Sequence, residues 1–163
     1  MSRTLTLVRH AKSDWSEPGP DRDRPLAPRG RRQAPATGGW IATHLPPVDL
    51  ALVSPAERAR ATWQLVGEGV GARRVETAEA AYTFDGDALL ALVREIDDDV
   101  THAVLVGHNP ALEELVETLT GRSARMPTSA LAVIDLDGPW AAAGTGEGVL
   151  RAAGRPATED VSG

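Results

Sequence analysis

Cysteine is absent from the 163 residues. That excludes disulfide scaffolds, thiolate nucleophiles and cysteine-ligated zinc or iron–sulfur centres. Lysine is nearly absent, with Lys12 alone against 16 arginines, while Ala, Gly and Pro are plentiful; this reads as the codon usage of a GC-rich bacterial genome. One Tyr and one Phe leave few rings for stacking bases. Together with a pI near 5.2 and a formal charge of −6, that scarcity speaks against a nucleic-acid partner. No apolar run approaches the roughly 20 residues of a membrane span. The opening Met-Ser-Arg-Thr-Leu-Thr-Leu-Val-Arg-His holds too few apolar residues for a signal peptide. The expectation is a cytoplasmic protein without a nucleic-acid or membrane partner, and composition leaves its oligomeric state open.

Large aliphatics are scarce too: Leu, Ile, Val and Phe supply only 35 positions, against 26 alanines. They nevertheless come in periodic blocks, which marks a lean folded domain instead of a disordered chain. Short apolar runs at 5–8, 50–53, 103–106, 130–136 and 148–152 read as strands, with 74–78 a weaker sixth. Between them, helical spacing covers 28–44, 56–70, 87–96 (with Asp87 as N-cap) and 110–119 (with Asn109 as cap and Pro110 in the first turn). Pro35 and Gly38-Gly39 predict a kink in the first helix. Strand alternating with helix implies βαβ units, hence an α/β three-layer sandwich around a mainly parallel sheet. The domain is expected to span 1–153, with 154–163 a disordered tail.

Open α/β sheets bind ligands at the carboxyl ends of their strands. The first strand runs into Arg9-His10, the second into Ser54 with Arg58 just inside the next helix, and the fourth into His108-Asn109. A parallel sheet would gather two arginines and two histidines in one pocket. No thiol, Ser–His–Asp spacing or Gly-rich phosphate loop accompanies them. Arg offers a planar fork of donors for phosphate oxygens, and neutral imidazole is a competent nucleophile, so the set is suited to holding and attacking a phosphoryl group.

These residues resemble the motifs of the histidine phosphatase (phosphoglycerate mutase-like) superfamily. Leu-Val-Arg-His-Ala-Lys-Ser-Asp-Trp at 7–15 is similar to its RHG signature, with Ala11 where Gly is commoner. Arg24-Pro25-Leu26 with Arg29-Gly30, Ser54-Pro55 with Arg58-Ala59 and Thr62, Val106-Gly107-His108-Asn109-Pro110, and Pro127-Thr128 follow in family order. The short chain resembles the small SixA-type phosphohistidine phosphatases in particular. The resemblance implies a phosphoglycerate mutase-like fold and a metal-independent phosphatase with no cofactor. Its nucleophile would be His10, phosphorylated in turnover, with Arg9, Arg58 and His108 holding the phosphoryl oxygens. Ser16 falls where mutases carry a substrate-contacting Asn. The implied partner is a phosphohistidine-bearing protein. Alternatives are a small-molecule phosphomonoesterase or mutase of the same superfamily, and a phosphate-binding regulatory module without turnover.

Other polar residues have blander readings. His44 and His102 read as structural, Arg60 and Asp97-Asp98-Asp99 as solvated charges, and Trp40, Trp63 and Trp140 as packing, with Trp15 near enough to His10 to line a pocket. A proton donor is the least legible part. Glu79, followed by Tyr82, faintly resembles the acid of mutase-like relatives, whereas SixA-type proteins dispense with it. Phosphohistidine can do so because its leaving imidazole departs neutral once the other nitrogen is protonated.

Overall fold

The computed structural model describes residues 2–157. Six strands, β1 (Ser2–Arg9), β2 (Leu50–Val53), β3 (Arg74–Thr77), β4 (His102–Gly107), β5 (Leu131–Asp137) and β6 (Val149–Gly154), form one sheet in the order β3-β2-β4-β1-β5-β6. Pairings β1–β4, β2–β4 and β2–β3 are parallel, while β5 runs antiparallel to both β1 and β6. The sheet is therefore mixed, with β5 alone reversed.

Period-2 alternation on the central strands assigns each residue to a face. Leu5, Leu7, Ala103, Leu105, Ala132 and Ile134 pack into one core with α3 (Gly86–Arg94) and α4 (Ala111–Thr120). Val8, Val104, Val106, Leu131 and Val133 pack into a second core with α1 (Pro28–His44) and α2 (Glu57–Val70). Two cores separated by a sheet make the three-layer sandwich that strand–helix alternation predicts. Central strands carry apolar residues on both faces because helices cover both. The edge strand β3 is exposed along its whole length, which explains its weak signal in the sequence.

Several local expectations need correction. Helix α3 begins at Gly86, and the cap is Asp85, whose Oδ1 accepts from the Asp87 backbone N–H (3.0 Å). A Cβ at Gly86 would meet Glu114 Cβ at 2.6 Å, so the glycine admits α4 alongside. Helix α4 starts at Ala111 with Pro110 at the cap position. Asn109 Oδ1 reaches the Glu113 N–H at 3.3 Å, while its amide donates to the Met126 carbonyl (2.9 Å). Helix α1 spans the expected Pro28–His44, with Pro35 inside it. Strand β6 extends to Gly154, paired with Leu131, and Arg155 donates to the Thr128 carbonyl (3.3 Å). Strand β6 thus ends one residue past the expected boundary at 153; residues 158–163 of the expected tail lie outside the described residues.

Helices α1 and α2 approach closely at Gly38, where an added Cβ would sit 2.4 Å from the Val66 carbonyl oxygen. Alanine would gain up to about 1 kcal/mol in helix propensity, but a backbone oxygen cannot rotate aside. Gly38→Ala is expected to lower stability by about 1–3 kcal/mol net, because the helices must separate. Urea unfolding measures this, and a stabilised variant would overturn the account.

Candidate active site

The topology brings the polar strand ends together. β1 and β4 are adjacent and parallel with Arg9 opposite Gly107, so the next residues, His10 and His108, are neighbours. β2 flanks β4 with Val53 opposite Val106, which places Ser54 beside His108. The His10 and His108 ring centroids lie 5.2 Å apart. Arg58, on the first turn of α2, reaches between them. Its Nε–H points to His10 Nε2 at 3.4 Å and its Nη2 to His108 Nδ1 at 3.3 Å.

These contacts fix both tautomers. His10 Nδ1 lies 2.8 Å from the Ala11 carbonyl, which can only accept, so Nδ1 carries the proton and Nε2 the lone pair. Arg58 can only donate, so His108 Nδ1 accepts, and Nε2–H donates to Ser54 Oγ (2.7 Å). Burial above all pushes His10 down to about 3, against the Ala11 hydrogen bond and with further help from nearby positive groups. Burial, then Arg58, pushes His108 down to about 4. Both rings are neutral at physiological pH. An unprotonated imidazole facing a guanidinium is a nucleophile beside an anion binder.

Neighbouring contacts hold this geometry. Thr62 Oγ1 donates to the Arg58 carbonyl (2.6 Å) and accepts from the Ala11 N–H (2.9 Å), pinning α2 to the end of β1. Ser129, at φ +64°, donates its N–H to the Arg9 and His10 carbonyls, and Thr37 Oγ1 donates to the Ser129 carbonyl (2.7 Å). Arg9 Nη1 donates to the Met126 carbonyl (3.1 Å). Its Nε is buried and has no protein partner.

Four of the five residues singled out from sequence, Arg9, His10, Arg58 and His108, meet here. Ser16 instead lies exposed on the following loop, its N–H donating to Asp14 Oδ1 (2.8 Å). Glu79 is exposed and engaged by Arg22 through two hydrogen bonds of 2.6 and 3.2 Å. The Arg22 hydrogen bonds hold its carboxyl below the usual carboxylate range. His102 is buried between Thr6 Oγ1 (2.8 Å) and the Pro46 carbonyl (2.9 Å), a structural role. Trp15 is exposed and carries the Arg24 guanidinium 3.5 Å over its ring.

The structure adds residues that sequence reasoning passed over as site residues. Asp21 accepts from Arg58 Nη2 (3.0 Å), Arg24 Nη2 (2.5 Å) and the Tyr82 hydroxyl (2.5 Å). Tyr82 and Phe84, the chain's only Tyr and Phe, lie 5.3 and 5.6 Å from the His108 ring. The available signal was Asp-Arg-Asp-Arg-Pro-Leu at 21–26, where an acid stands one turn before a motif arginine. Among the described residues no cluster of three or more His, Asp or Glu could hold a metal, and no helix is long and apolar enough to cross a membrane.

Comparison with known proteins agrees with this arrangement. Residues 5–82 match the model of the histidine phosphatase superfamily, branch 1. An uncharacterized Mycobacterium leprae protein is 37% identical over 147 residues, covering 82% of this chain and 89% of its own. The structure of a candidate phosphohistidine phosphatase SixA from Nakamurella multipartitia is 30% identical with a TM-score of 0.86, over 96% of this chain and 97% of that one. Another from Agrobacterium tumefaciens is 28% identical with a TM-score of 0.81, over 94% and 98%. The chain belongs to the histidine phosphatase superfamily. Within it, the resemblance over the whole chain is to the small SixA type, and the site is that of a phosphatase.

The buried neutral histidines have a consequence for stability. Their pKa values of about 3 and about 4 lie below the ~6.5 of an unfolded histidine. Between those limits the unfolded chain binds more protons, so stability is complete above pH ~6.5 and is lost as pH falls toward 4. Going from pH ~7 to ~4.5, the parent is expected to lose about 1–3 kcal/mol more than His10→Ala, which lacks one of these groups. Urea unfolding at both pH values tests this; parallel losses in the two proteins would contradict it.

Proposed function

We propose that this protein removes the phosphoryl group from a phosphohistidine-bearing protein, passing it through His10. The supporting observation is the His10 ring itself, whose Nδ1–H is committed to Ala11 while the Nε2 lone pair faces Arg58. Nε2 attacks phosphorus, the new N–P bond forms as the substrate's N–P bond breaks, and the departing imidazole keeps the electron pair. Arg9, Arg58 and His108 surround the equatorial oxygens. Donors arranged in advance for developing charge are usually the largest catalytic contribution. His108 is kept neutral by burial and then by Arg58; the arriving phosphoryl dianion is a negative neighbour that favours its ring taking a proton from solvent and donating from Nδ1 to a phosphoryl oxygen. Water then attacks phosphorus, the His10 N–P bond breaks, and Nε2 recovers its lone pair as inorganic phosphate forms.

Two features favour a phosphohistidine over an alkyl phosphate. Glu79, ionised and tied to Arg22, is not poised to give a proton to an alkoxide, whereas a neutral imidazole leaves without one. Tyr82 and Phe84 add an aromatic wall beside His108 that suits a planar leaving group. The likeness to structures of candidate SixA phosphohistidine phosphatases supports the same substrate class.

His10→Ala is expected to retain under about 1% of parental turnover, since no other side chain there can accept the phosphoryl group. Rapid mixing of the parent with labelled phosphohistidine protein should trap an acid-labile, base-stable phosphoenzyme that the variant lacks. Substantial turnover in the variant would rule out the His10 route. A second measurement addresses the acid. Glu79→Gln should change kcat/KM by less than about threefold on phosphohistidine, aryl and alkyl phosphates alike, where loss of a general acid costs about 10²–10⁴-fold. Efficient alkyl phosphate hydrolysis by the parent, lost in Glu79→Gln, would favour a small-molecule phosphomonoesterase instead.

A further inference from the structure

The segment after β1 crosses the site as the 3-10 turn Asp21–Asp23. Asp21 Oδ2 accepts from Arg58 Nη2 (3.0 Å) and the Tyr82 hydroxyl (2.5 Å), and Oδ1 accepts from Arg24 Nη2 (2.5 Å). Its backbone carbonyl accepts from Arg58 Nη1 (2.8 Å). One carboxylate therefore accepts one N–H from each of two arginines and the hydroxyl of a phenol. The same Arg58 turns its Nε and Nη2 toward His10 and His108. The carboxylate and the phosphoryl site thus adjoin one guanidinium, whose Nη2 faces both Asp21 Oδ2 and His108 Nδ1, and which itself is only 2% exposed.

We propose that Asp21 is a specificity-determining residue: its carboxylate fills the anion-binding fork of Arg24, Arg58 and Tyr82 beside the phosphoryl site, and thereby excludes substrates that carry a second anionic group near the phosphate. The inference rests on the phosphatase reading above and narrows its substrate class. Two arginines and a hydroxyl are a good donor set for a carboxylate or a second phosphate. In this chain an internal carboxylate holds that set, so an incoming second anion meets negative charge and donors already taken. A phosphoryl group carried on a neutral imidazole brings no second anion and is not penalised.

The turn is built to keep Asp21 there. Arg22 ties it to Glu79, and the isolated bridge Ser13–Leu26 closes the base of the loop. Arg24 is itself fixed, donating to Ser13 Oγ (2.5 Å) and stacked on Trp15. Burial opposes ionisation of Asp21, but the hydrogen bonds from Tyr82, Arg24 and Arg58 outweigh it and hold the carboxyl well below the usual range. The filter is charged at every physiological pH.

The test compares ligands that differ by one carboxylate. Calorimetry gives the affinities of methylphosphonate and phosphonoacetate for the parent, Asp21→Asn and Asp21→Ala. The ratio of the two affinities within each protein cancels any misfolded fraction. Removing the charge should shift this ratio toward phosphonoacetate by on the order of tenfold in both variants. With turnover, kcat/KM for 3-carboxyphenyl phosphate relative to phenyl phosphate should move the same way. Asparagine preserves the shape of the side chain, so a purely positioning role would lower both members of each pair together. An affinity ratio unchanged within about threefold, or no binding of either phosphonate to the parent, overturns the proposal. Absence of His10-dependent turnover would instead remove the phosphatase reading, and the affinity ratio would still decide this one.

Discussion

A buried arginine organises this site. Arg58 is among the largest fully buried side chains of the protein, and burying an unpaired guanidinium would cost several kcal/mol. Its donors therefore have to be met from within, and they are met by His10, His108 and Asp21. Meeting them fixes the imidazole tautomers, sets the spacing of the two rings and draws the Asp21–Asp23 turn over the pocket. Thr62, one turn further along α2, ties the Arg58 carbonyl to the backbone of Ala11. The cation that would receive a phosphoryl group is thus also the one that assembles the residues around it.

The sheet supplies the second constraint. In a parallel pair the carboxyl ends lie side by side, so β1 and β4 deliver His10 and His108 to one edge without any special turn. Leucine, valine and alanine on both faces of β1, β4 and β5 bury the strands beneath the site between two helical layers. Rigid strands below and a polar turn above divide the labour. The strands place the nucleophile and the phosphoryl-binding groups, and the turn adds the charge and the aromatic neighbours that bias which substrate enters.

Much of this was legible in the residue order. Apolar periodicity located the buried strands and the four α-helices to within a few residues, because alternation and 3.6-residue spacing are local consequences of burial. Boundaries went astray at two helix starts: Asp85, not Asp87, caps α3, and Pro110, expected in the first turn, occupies the cap position of α4. The exposed edge strand β3 had no buried face to imprint a pattern. The four site residues Arg9, His10, Arg58 and His108 were readable because each follows a recognisable strand, and a parallel sheet collects strand ends by construction.

Asp21 and Tyr82 were not readable as site residues. An aspartate in a polar loop reads as solvated, and its partners Arg58 and Tyr82 lie 37 and 61 residues further along the chain. Likewise, the order of residues offers Glu79 as a proton donor, while packing pairs it with Arg22, 57 residues away. Residue type and spacing settle which side chains a parallel sheet will gather, since strand direction alone places them. Which charges pair across the pocket depends on where loops come to rest in three dimensions, because an ion pair reads distance in space and not separation along the chain.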